Sequence, residues 1–367
     1  MNIPIFNTFI DQTALSHVKG VLDSTFLSEG TLVKEFENQL TNKLGLVNPV
    51  ALNSGTSALH LALVLAHVGV GDEVILPAQT FVATGLVVLQ QGAKVVFADI
   101  DYSTGNLSLA TIKEKVTDKT KAIILVHWGG YPCDLDDINA FAKSQNIVVI
   151  EDAAHALGAT YKDRVVGSIS DYTCFSFQAI KHLTTGDGGA ICSNDTKSYQ
   201  DSFVRRWFGI DRSNSQLSHL GERLYDIQDI GYKYHLNDYG AALGLANLSF
   251  FKYRLQARIE IANYYRSNLQ AIPGIDLFNY TPDRQSAFWL FGFHVEKRDA
   301  FIAALKDKGI IASVVHLGID HNSIFGGKNS SLENQRKFDD SQIHIPIHDE
   351  VTLEKAAYIV NIIKKGW

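Results

Sequence analysis

The feature that most constrains this chain is an alternation, through its first half, of short apolar runs rich in β-branched residues with segments of helical periodicity. This alternation is typical of β-α-β units, in which helices connect parallel strands and cover the sheet. We expect strands over 72–76, 94–99, 121–126 and 146–152, and helices over 80–91 and 135–144. The run at 121–126 is apolar nearly throughout, which predicts a strand covered on both faces.

The pattern changes in the second half of the chain. Short strands are expected at 171–177 and 189–192, around a loop rich in Gly and Thr, and a long helix at 250–272. A smaller unit follows, with a strand over 288–294, a helix over 298–308, a strand over 311–316 and a terminal helix over 353–365. These patterns predict a large, mostly parallel α/β domain over 1–247, including the N-terminal segment, and a smaller C-terminal α+β domain over 248–367.

Composition excludes several classes of protein. The net charge of -6 argues against a dedicated nucleic-acid binder, because phosphate binding needs a basic face. No apolar run approaches the ~20 residues of a membrane span, and the start of the chain lacks a secretory signal pattern, so we expect a cytoplasmic protein with no membrane association. The three cysteines are widely spaced and form no CxxC pair, which predicts free thiols and no metal site.

The segment Asn53–Leu59 is a candidate phosphate cradle. It follows a short apolar run and opens a helix, where free N–H groups favour an anion. Gly55 lets the backbone approach a ligand closely, and Thr56 and Ser57 add hydroxyl donors. An ordinary Ser/Thr helix cap is the alternative, and the pattern alone leaves both interpretations open.

Two further segments carry reactive side chains. Glu151 and Asp152 end a buried strand, and ligands of open α/β sheets sit at the carboxyl ends of strands. Successive strand residues point to opposite faces, so only one of these carboxylates can enter a given site. Lys181 lies in a Ser/Thr/Gly loop just past another strand, and lysine is the side chain that forms Schiff bases with carbonyl groups. A structural acid and a surface lysine are the alternatives for each segment alone.

A phosphate cradle, a carboxylate and a lysine are together the groups that bind pyridoxal 5'-phosphate. The lysine holds the aldehyde as an imine, the carboxylate keeps the pyridine nitrogen protonated, and the cradle anchors the phosphate. A flat ring also needs an aromatic face, and Phe81 follows the carboxyl end of another expected strand. The three segments together therefore predict a site for this cofactor.

With these motifs in this order, the chain resembles the sugar aminotransferases of the DegT/DnrJ/EryC1/StrS family, which have the aspartate-aminotransferase fold, fold type I. The resemblance covers essentially the whole chain. It rests on the segments Ser28–Gly30, Asn53–Leu59, Gly71–Val74, Glu151–Gly158, Ser176–Gly189, Gly231–Asp238 and Ile345–His348. The acidic motif followed by the lysine motif is its most specific part.

The resemblance implies a role for individual residues. Lys181 matches the catalytic Schiff-base lysine, and Asp152 matches the acid paired with the pyridine nitrogen. The other cofactor-binding positions that it implies are Ser176, Gly55, Thr56 and Ser57 at the phosphate, Phe81 as the stacking aromatic, Gln178 at the ring oxygen, and His155 in support of the site.

The resemblance also implies a homodimer with shared active sites. In the family a loop from the neighbouring subunit completes the phosphate pocket, and residues 231–238 match that loop. Lys233 stands where many relatives have Asn, and His235 stands where many have Arg. A lysine can serve at that position as a point charge toward the phosphate.

The activity implied by the resemblance is ping-pong transfer of an amino group from L-glutamate to a keto sugar. The preferred acceptor is a nucleotide-linked keto-deoxy sugar of lipopolysaccharide or other surface-glycan synthesis, and an oxidised keto-octulosonate (Kdo-type) sugar is an alternative. Dehydratases of the same family carry His at the lysine position. Here His182 is adjacent, but the position five residues after Ser176 is Lys181, which favours transamination.

Two questions stay open at this point. A cofactor-binding regulator without catalysis is a rival function, although the retention of Lys181, Asp152 and Ser176 argues against it. The segment 205–212 contains three arginines beside Trp207, and it either meets an anionic group of the substrate or is a structural loop.

Overall fold

The structure, a computed structural model, describes residues 2–212 and 215–367. Its helices are α1 (Ala14–Ser24), α2 (Thr31–Leu44), α3 (Gly55–Leu65), α4 (Ala83–Gln90), α5 (Leu109–Lys113), α6 (Leu135–Ser144), α7 (Thr196–Arg205), α8 (Asp238–Leu248), α9 (Phe251–Leu269), α10 (Arg298–Lys306), α11 (Glu333–Ser341) and α12 (Leu353–Ile363). Its strands are β1 (Val50–Leu52), β2 (Glu73–Pro77), β3 (Lys94–Ala98), β4 (Thr120–Val126), β5 (Val148–Asp152), β6 (Thr160–Tyr161), β7 (Arg164–Val165), β8 (Tyr172–Ser176), β9 (Gly189–Ser193), β10 (Gln216–Leu217), β11 (Arg223–Leu224), β12 (Ile275–Leu277), β13 (Arg284–Gln285), β14 (Phe291–Val295) and β15 (Gln342–Ile345).

A seven-stranded sheet forms the centre of the larger part, in the order β1-β9-β8-β5-β4-β2-β3. Strands β3, β2, β4, β5 and β8 run parallel, and β9 pairs antiparallel with both β8 and β1. Parallel strands need crossover connections, and helices provide them between β2, β3, β4 and β5. The predicted mostly parallel α/β architecture is therefore confirmed.

Helices cover both faces of this sheet. Along β4, Ile124 packs in the cluster that includes Leu61 of α3, whereas Ile123 packs with Leu135 and Ile138 of α6 on the opposite face. This side-to-side alternation explains why the run at β4 is apolar at nearly every position. Each fully buried aliphatic side chain of this kind contributes about 1.5–3 kcal/mol relative to exposure.

The smaller part is an α+β unit around the three-stranded antiparallel sheet β12-β14-β15. Its core joins this sheet to α9 and α12, and Ile3 from the start of the chain is buried in the same core. The backbone of Ile3 exchanges hydrogen bonds with Gly309 and Ile311. Ile3 therefore packs with the smaller part of the chain.

The strand expected over 311–316 is not formed. Ser313 makes an isolated bridge to His344, and Ile310 makes another to Ile3, so the neighbouring residues have no continuous ladder partner. The segment runs as an irregular chain instead, from the small sheet toward the carboxyl edge of the large one. This course brings Ser313, Val315 and His316 to a cavity at that edge, which Lys181 and Asp152 also line.

No helix within the described ranges is long and apolar enough to cross a membrane. Across those same residues, no cluster of three or more His, Cys, Asp or Glu side chains is arranged to hold a metal ion. The cysteines Cys133, Cys174 and Cys192 are free thiols and all are buried.

Candidate active site

The two carboxylates at the end of β5 point to opposite faces of the sheet, as strand geometry requires. Glu151 is fully buried on the far face, where its Oε2 lies 2.7 Å from Nε2 of His127 and its Oε1 accepts from the Ser170 N–H at 3.1 Å. Asp152 faces the other way and lines a cavity of about 490 Å³. Only Asp152 is therefore available to a ligand in this cavity.

Asp152 lies at one end of a chain of buried hydroxyl groups. Its Oδ2 accepts from Oγ1 of Thr84 at 2.7 Å, and Thr84 in turn lies 2.6 Å from Oγ1 of Thr80. Burial raises the pKa of Asp152, whereas the bond from Thr84 and the positive charge of Lys181 act to lower it. A cationic group beside this carboxylate would favour its ionised form.

Lys181 enters the same cavity from the loop after β8. Its Nζ lies 3.6 Å from the ring centroid of Trp289, and two hydrogen bonds hold the backbone on either side of it. Nε1 of Trp289 donates to the Ile180 carbonyl at 2.9 Å, and Nη2 of Arg254 donates to the His182 carbonyl at 3.0 Å. Burial lowers the pKa of Lys181 from 10.5 to about 7, so much of it is a neutral amine near neutral pH.

His182 points away from the cavity. It is buried, and its Nε2 lies 2.8 Å from the Ala287 carbonyl oxygen. The side chain that faces Asp152 and the cofactor cavity is therefore the lysine of this adjacent pair. This placement argues against the dehydratase alternative, in which a histidine occupies the lysine position.

The start of α3 forms a cradle beside β8. Ser54 caps the helix by accepting from the Ser57 N–H, which leaves the N–H groups of Gly55 and Thr56 without a partner in the described part of the chain. A Cβ on Gly55 would lie 2.9 Å from Cβ of Ser176, so only glycine leaves this space open. Free N–H groups and nearby hydroxyls are the donors that a phosphate needs.

Three more of the expected residues also line the cavity. Phe81 is 54% exposed at its mouth, and its ring centroid lies 5.3 Å from that of His316. The His155 ring stacks on Trp289 at a centroid distance of 3.8 Å, and burial lowers its pKa well below the usual value. Gln178 is exposed, and its Oε1 accepts from the Ile180 N–H at 3.0 Å.

Two of the expected residues lie outside this lining. Ser57 is buried and donates its hydroxyl to Oδ1 of Asn53 at 2.6 Å, within the helix cap. Lys233 is exposed, and its Nζ lies 3.7 Å from the ring centroid of Trp207. Within one chain the cavity thus gathers eight of the ten expected cofactor-binding residues, which are Gly55, Thr56, Phe81, Asp152, His155, Ser176, Gln178 and Lys181.

Sequence reasoning assigned no role in this cavity to several residues that line it, among them Thr84, Trp289 and His316. The i, i+4 spacing of Thr80 and Thr84 across the start of a helix was a detectable signal for the first of these. Trp289 lies 108 positions after Lys181 in the sequence, and no local pattern links the two residues.

Two arginines of the 205–212 segment form ion pairs within the protein. Arg206 is buried and bonds Oε1 of Glu37 and Oε1 of Glu29, each at 2.6 Å. Arg212 contacts Glu29 at 3.3 Å and lies over the Trp207 ring. These ion pairs connect the segment to Glu37 of α2 and to Glu29 just before that helix, which favours the structural interpretation for Arg206.

The donor set fits pyridoxal phosphate. The buried carboxylate of Asp152 can pair with a ring nitrogen, and the partly neutral amine of Lys181 can react with an aldehyde. The Gly55 cradle, together with Ser176, can bind a phosphate. No other group is needed to account for these three features together.

Comparison with known proteins agrees with this geometry. The DegT/DnrJ/EryC1/StrS aminotransferase family matches residues 8–364. The chain is 34% identical to the spore coat polysaccharide biosynthesis protein SpsC of Bacillus subtilis, over 99% of this chain and 96% of the relative. It is 30% identical to the GDP-perosamine synthase of Escherichia coli O157:H7, over 99% of this chain and 98% of the relative.

Solved structures are similar over the full length. The sugar aminotransferase CalS13 of Micromonospora echinospora superposes with a TM-score of 0.94 at 34% identity, covering 100% of both chains. Spr1654 of Streptococcus pneumoniae in its PLP form superposes with a TM-score of 0.90 at 30% identity, covering 100% of this chain and 98% of that one. The chain therefore belongs to the DegT/DnrJ/EryC1/StrS aminotransferase family and is a pyridoxal-phosphate-dependent sugar aminotransferase of fold type I.

Proposed function

We propose that this enzyme transfers the amino group of L-glutamate to the ketone of a nucleotide-linked keto-deoxy sugar, in the synthesis of a surface polysaccharide or glycan. The observation that carries the proposal is the joint presence, in one cavity, of Asp152 and a lysine whose pKa is near 7. The names of SpsC and of the GDP-perosamine synthase support a sugar acceptor of this kind.

When bound, pyridoxal phosphate supplies an aldehyde that condenses with amines and a ring that takes up an electron pair. Asp152 would hold a proton on the ring nitrogen, with Thr84 fixing the carboxylate. Lys181 would accept the proton from the amino-bearing carbon of the donor and deliver it in the next stage, as a general acid and base. The exchange balances, because glutamate is oxidised to 2-oxoglutarate and the sugar ketone is reduced to an amine.

We also propose a homodimer in which Lys233 of each subunit reaches the cofactor phosphate of the other. Lys233 is exposed, and it does not line the cavity of its own chain that contains Asp152. The adjacent hairpin region displays Leu217, Leu220 and Ile230, which are between 70% and 76% exposed. A second subunit packed against this region would bury these exposed apolar side chains.

Mass spectrometry of the products tests the substrate assignment. The purified enzyme, loaded with pyridoxal phosphate, would be incubated with L-glutamate and a panel of GDP-, dTDP- and UDP-linked keto-deoxy sugars, together with an oxidised keto-octulosonate. We expect 2-oxoglutarate and an amino sugar in equal amounts with a nucleotide-linked member. Conversion of the keto-octulosonate alone, or loss of water from a sugar without 2-oxoglutarate, would reject the proposal.

A further inference from the structure

His316 reaches the active-site cavity from the smaller part of the chain. It lies in the irregular segment before the short turn at Ile319–His321, and its ring lines the same cavity as Lys181 and Asp152. Its ring centroid is 5.3 Å from that of Phe81 and 6.0 Å from that of Trp128. Phe81 is 54% exposed, so His316 lies beside the open side of the cavity.

The ring nitrogens of His316 have no hydrogen-bond partner within residues 2–212 and 215–367. Two other histidines contact Trp128, and they differ from His316 in exposure. Nδ1 of His155 and Nε2 of His344 are sealed from solvent, whereas the nitrogens of His316 are not. His316 is thus the ring of this group that offers free polar atoms to a molecule in the cavity.

The charge of His316 decides what it can bind. Burial lowers its pKa to about 4, and the positive charge of Lys181 acts in the same direction. At neutral pH the imidazole is neutral, with one donor and one acceptor nitrogen. Such a ring suits a sugar hydroxyl, but it lacks the positive charge that a carboxylate or a phosphate would need for a strong bond.

A network of buried amides fixes the backbone of His316. The His316 carbonyl oxygen accepts from Nε2 of Gln79 at 3.1 Å and from Nε2 of Gln342 at 3.0 Å. Nε2 of Gln335 donates to Oε1 of Gln79 at 2.8 Å, and all three glutamines are fully buried. Gln79 lies two residues before Phe81, so the network holds both residues of the cavity mouth in one arrangement.

We propose that His316 hydrogen-bonds a hydroxyl group of the acceptor sugar, and that Gln79, Gln335 and Gln342 are positioning residues that hold it at the cavity mouth. This inference rests on the proposed function, since it assigns a ligand to the sugar half of the reaction. The donor half, in which glutamate presents charged carboxylates, does not use the His316 ring. His316 therefore contributes to the choice of acceptor.

The test separates the two half-reactions by single-turnover kinetics, each followed by the absorbance of the cofactor. His316→Phe keeps the aromatic contacts and removes both nitrogens, while His316→Gln keeps a donor and an acceptor. With GDP- and dTDP-linked 4-keto-6-deoxyhexoses as probes, we expect His316→Phe to weaken the apparent affinity for the productive sugar about tenfold more than that for glutamate. His316→Gln should recover a substantial part of that loss.

His321→Phe is the matched control in the same segment. His321 is exposed and lies outside the cavity, so both half-reactions should stay within about twofold of wild type. Gln342→Met tests the positioning network, and we expect a rise in the apparent sugar Kd of about fivefold with a smaller change for glutamate. If that variant does not fold, Gln79→Met removes the other bond to the same carbonyl.

Equal losses in the two half-reactions of His316→Phe, or no loss in either, would overturn the inference. Failure of the proposed function gives a different result, because then wild-type enzyme charged by glutamate would convert none of the nucleotide-linked sugars. The wild-type measurement thus decides the function, and the ratio between the half-reactions decides the role of His316.

Discussion

The Nζ atom of Lys181 lies 3.6 Å from the centroid of the Trp289 indole ring, and the same indole donates to the carbonyl of Ile180, the residue before the lysine. Trp289 also stacks on His155 at 3.8 Å. One side chain from the smaller part of the protein therefore contacts the amine of Lys181, the backbone of its loop and a neighbouring ring.

Trp289→Leu should slow both half-reactions to a similar degree, by about tenfold or more, because the lysine acts in each of them. Trp289→Phe keeps an aromatic face but loses the bond to Ile180, so we expect a smaller effect. Single-turnover kinetics with glutamate and with the productive sugar measure both. A loss confined to the sugar half would contradict this role and would place Trp289 with His316 instead.

Formation of the imine between apoenzyme and pyridoxal phosphate should follow an apparent pKa of about 7, the value to which burial lowers the pKa of Lys181. The neutral amine is the nucleophile, so the rate should rise with pH through this value and level off above it. Stopped-flow absorbance between pH 5 and 9 checks the profile. The negative charge of Asp152 raises the pKa of Lys181, so Asp152→Asn should move the midpoint of this profile to lower pH. A wild-type midpoint near 10.5 would show that the amine of Lys181 is not desolvated.

Asp152→Asn should impair catalysis far more than folding, because the ring nitrogen loses a charged partner worth about 1.5–3 kcal/mol. Glu151→Gln is the contrasting variant. Glu151 is buried on the other face of the sheet against His127, so we expect lower thermal stability with a smaller effect per folded molecule on turnover. Thermal unfolding measures the stability of each variant, and kcat measures its turnover. Near-normal turnover of Asp152→Asn would assign the contact with the ring nitrogen to another acid.

Gly55→Ala should weaken cofactor binding by about tenfold or more, because the added Cβ would lie 2.9 Å from Cβ of Ser176 and occupy the cradle. Gly20→Ala is the matched control, since a Cβ there meets nothing within 4 Å and the residue lies inside α1. Helix propensity favours alanine at that position, so the control should bind cofactor normally and unfold at the same temperature or a slightly higher one. Spectroscopic titration of apoenzyme with pyridoxal phosphate gives both Kd values.

Mixing Lys181→Ala with Lys233→Ala subunits should restore part of the activity, if Lys233 completes the site of the neighbouring subunit. In a mixed dimer one of the two sites then carries neither lesion. The measurement is turnover after subunit exchange, with exchange verified by mass spectrometry of differently tagged chains. Absence of recovery despite proven exchange, or a fully active monomer in sedimentation, would reject the shared site.

Much of the fold could be predicted from local patterns in the sequence. The apolar runs at β2 to β5 alternate between two covered faces, and that alternation is visible in the chain because strand geometry repeats every two residues. The same geometry explains why Asp152, and not Glu151, enters the cavity. The position of Lys181 five residues after Ser176 and the family motifs around it indicated the chemistry.

The expectation of a strand over 311–316 was wrong, because strand formation depends on pairing partners that are distant in the sequence. The strand expected over 311–316 lacks a continuous partner, because Ile310 pairs with Ile3 and Ser313 with His344 at isolated positions. Its irregular course is what carries His316 to the cavity mouth.

The sequence by itself predicted the alternation of strands and helices in the first half of the chain and pointed to Asp152 and Lys181, because these follow from periodicity and motif spacing over a few residues. Tertiary structure alone decided that Trp289 packs against Lys181 and that Gln79 and Gln342 hold His316 beside Phe81. The physical reason is that backbone geometry repeats over short distances, whereas residues in different elements of the chain meet only when tertiary packing brings them together.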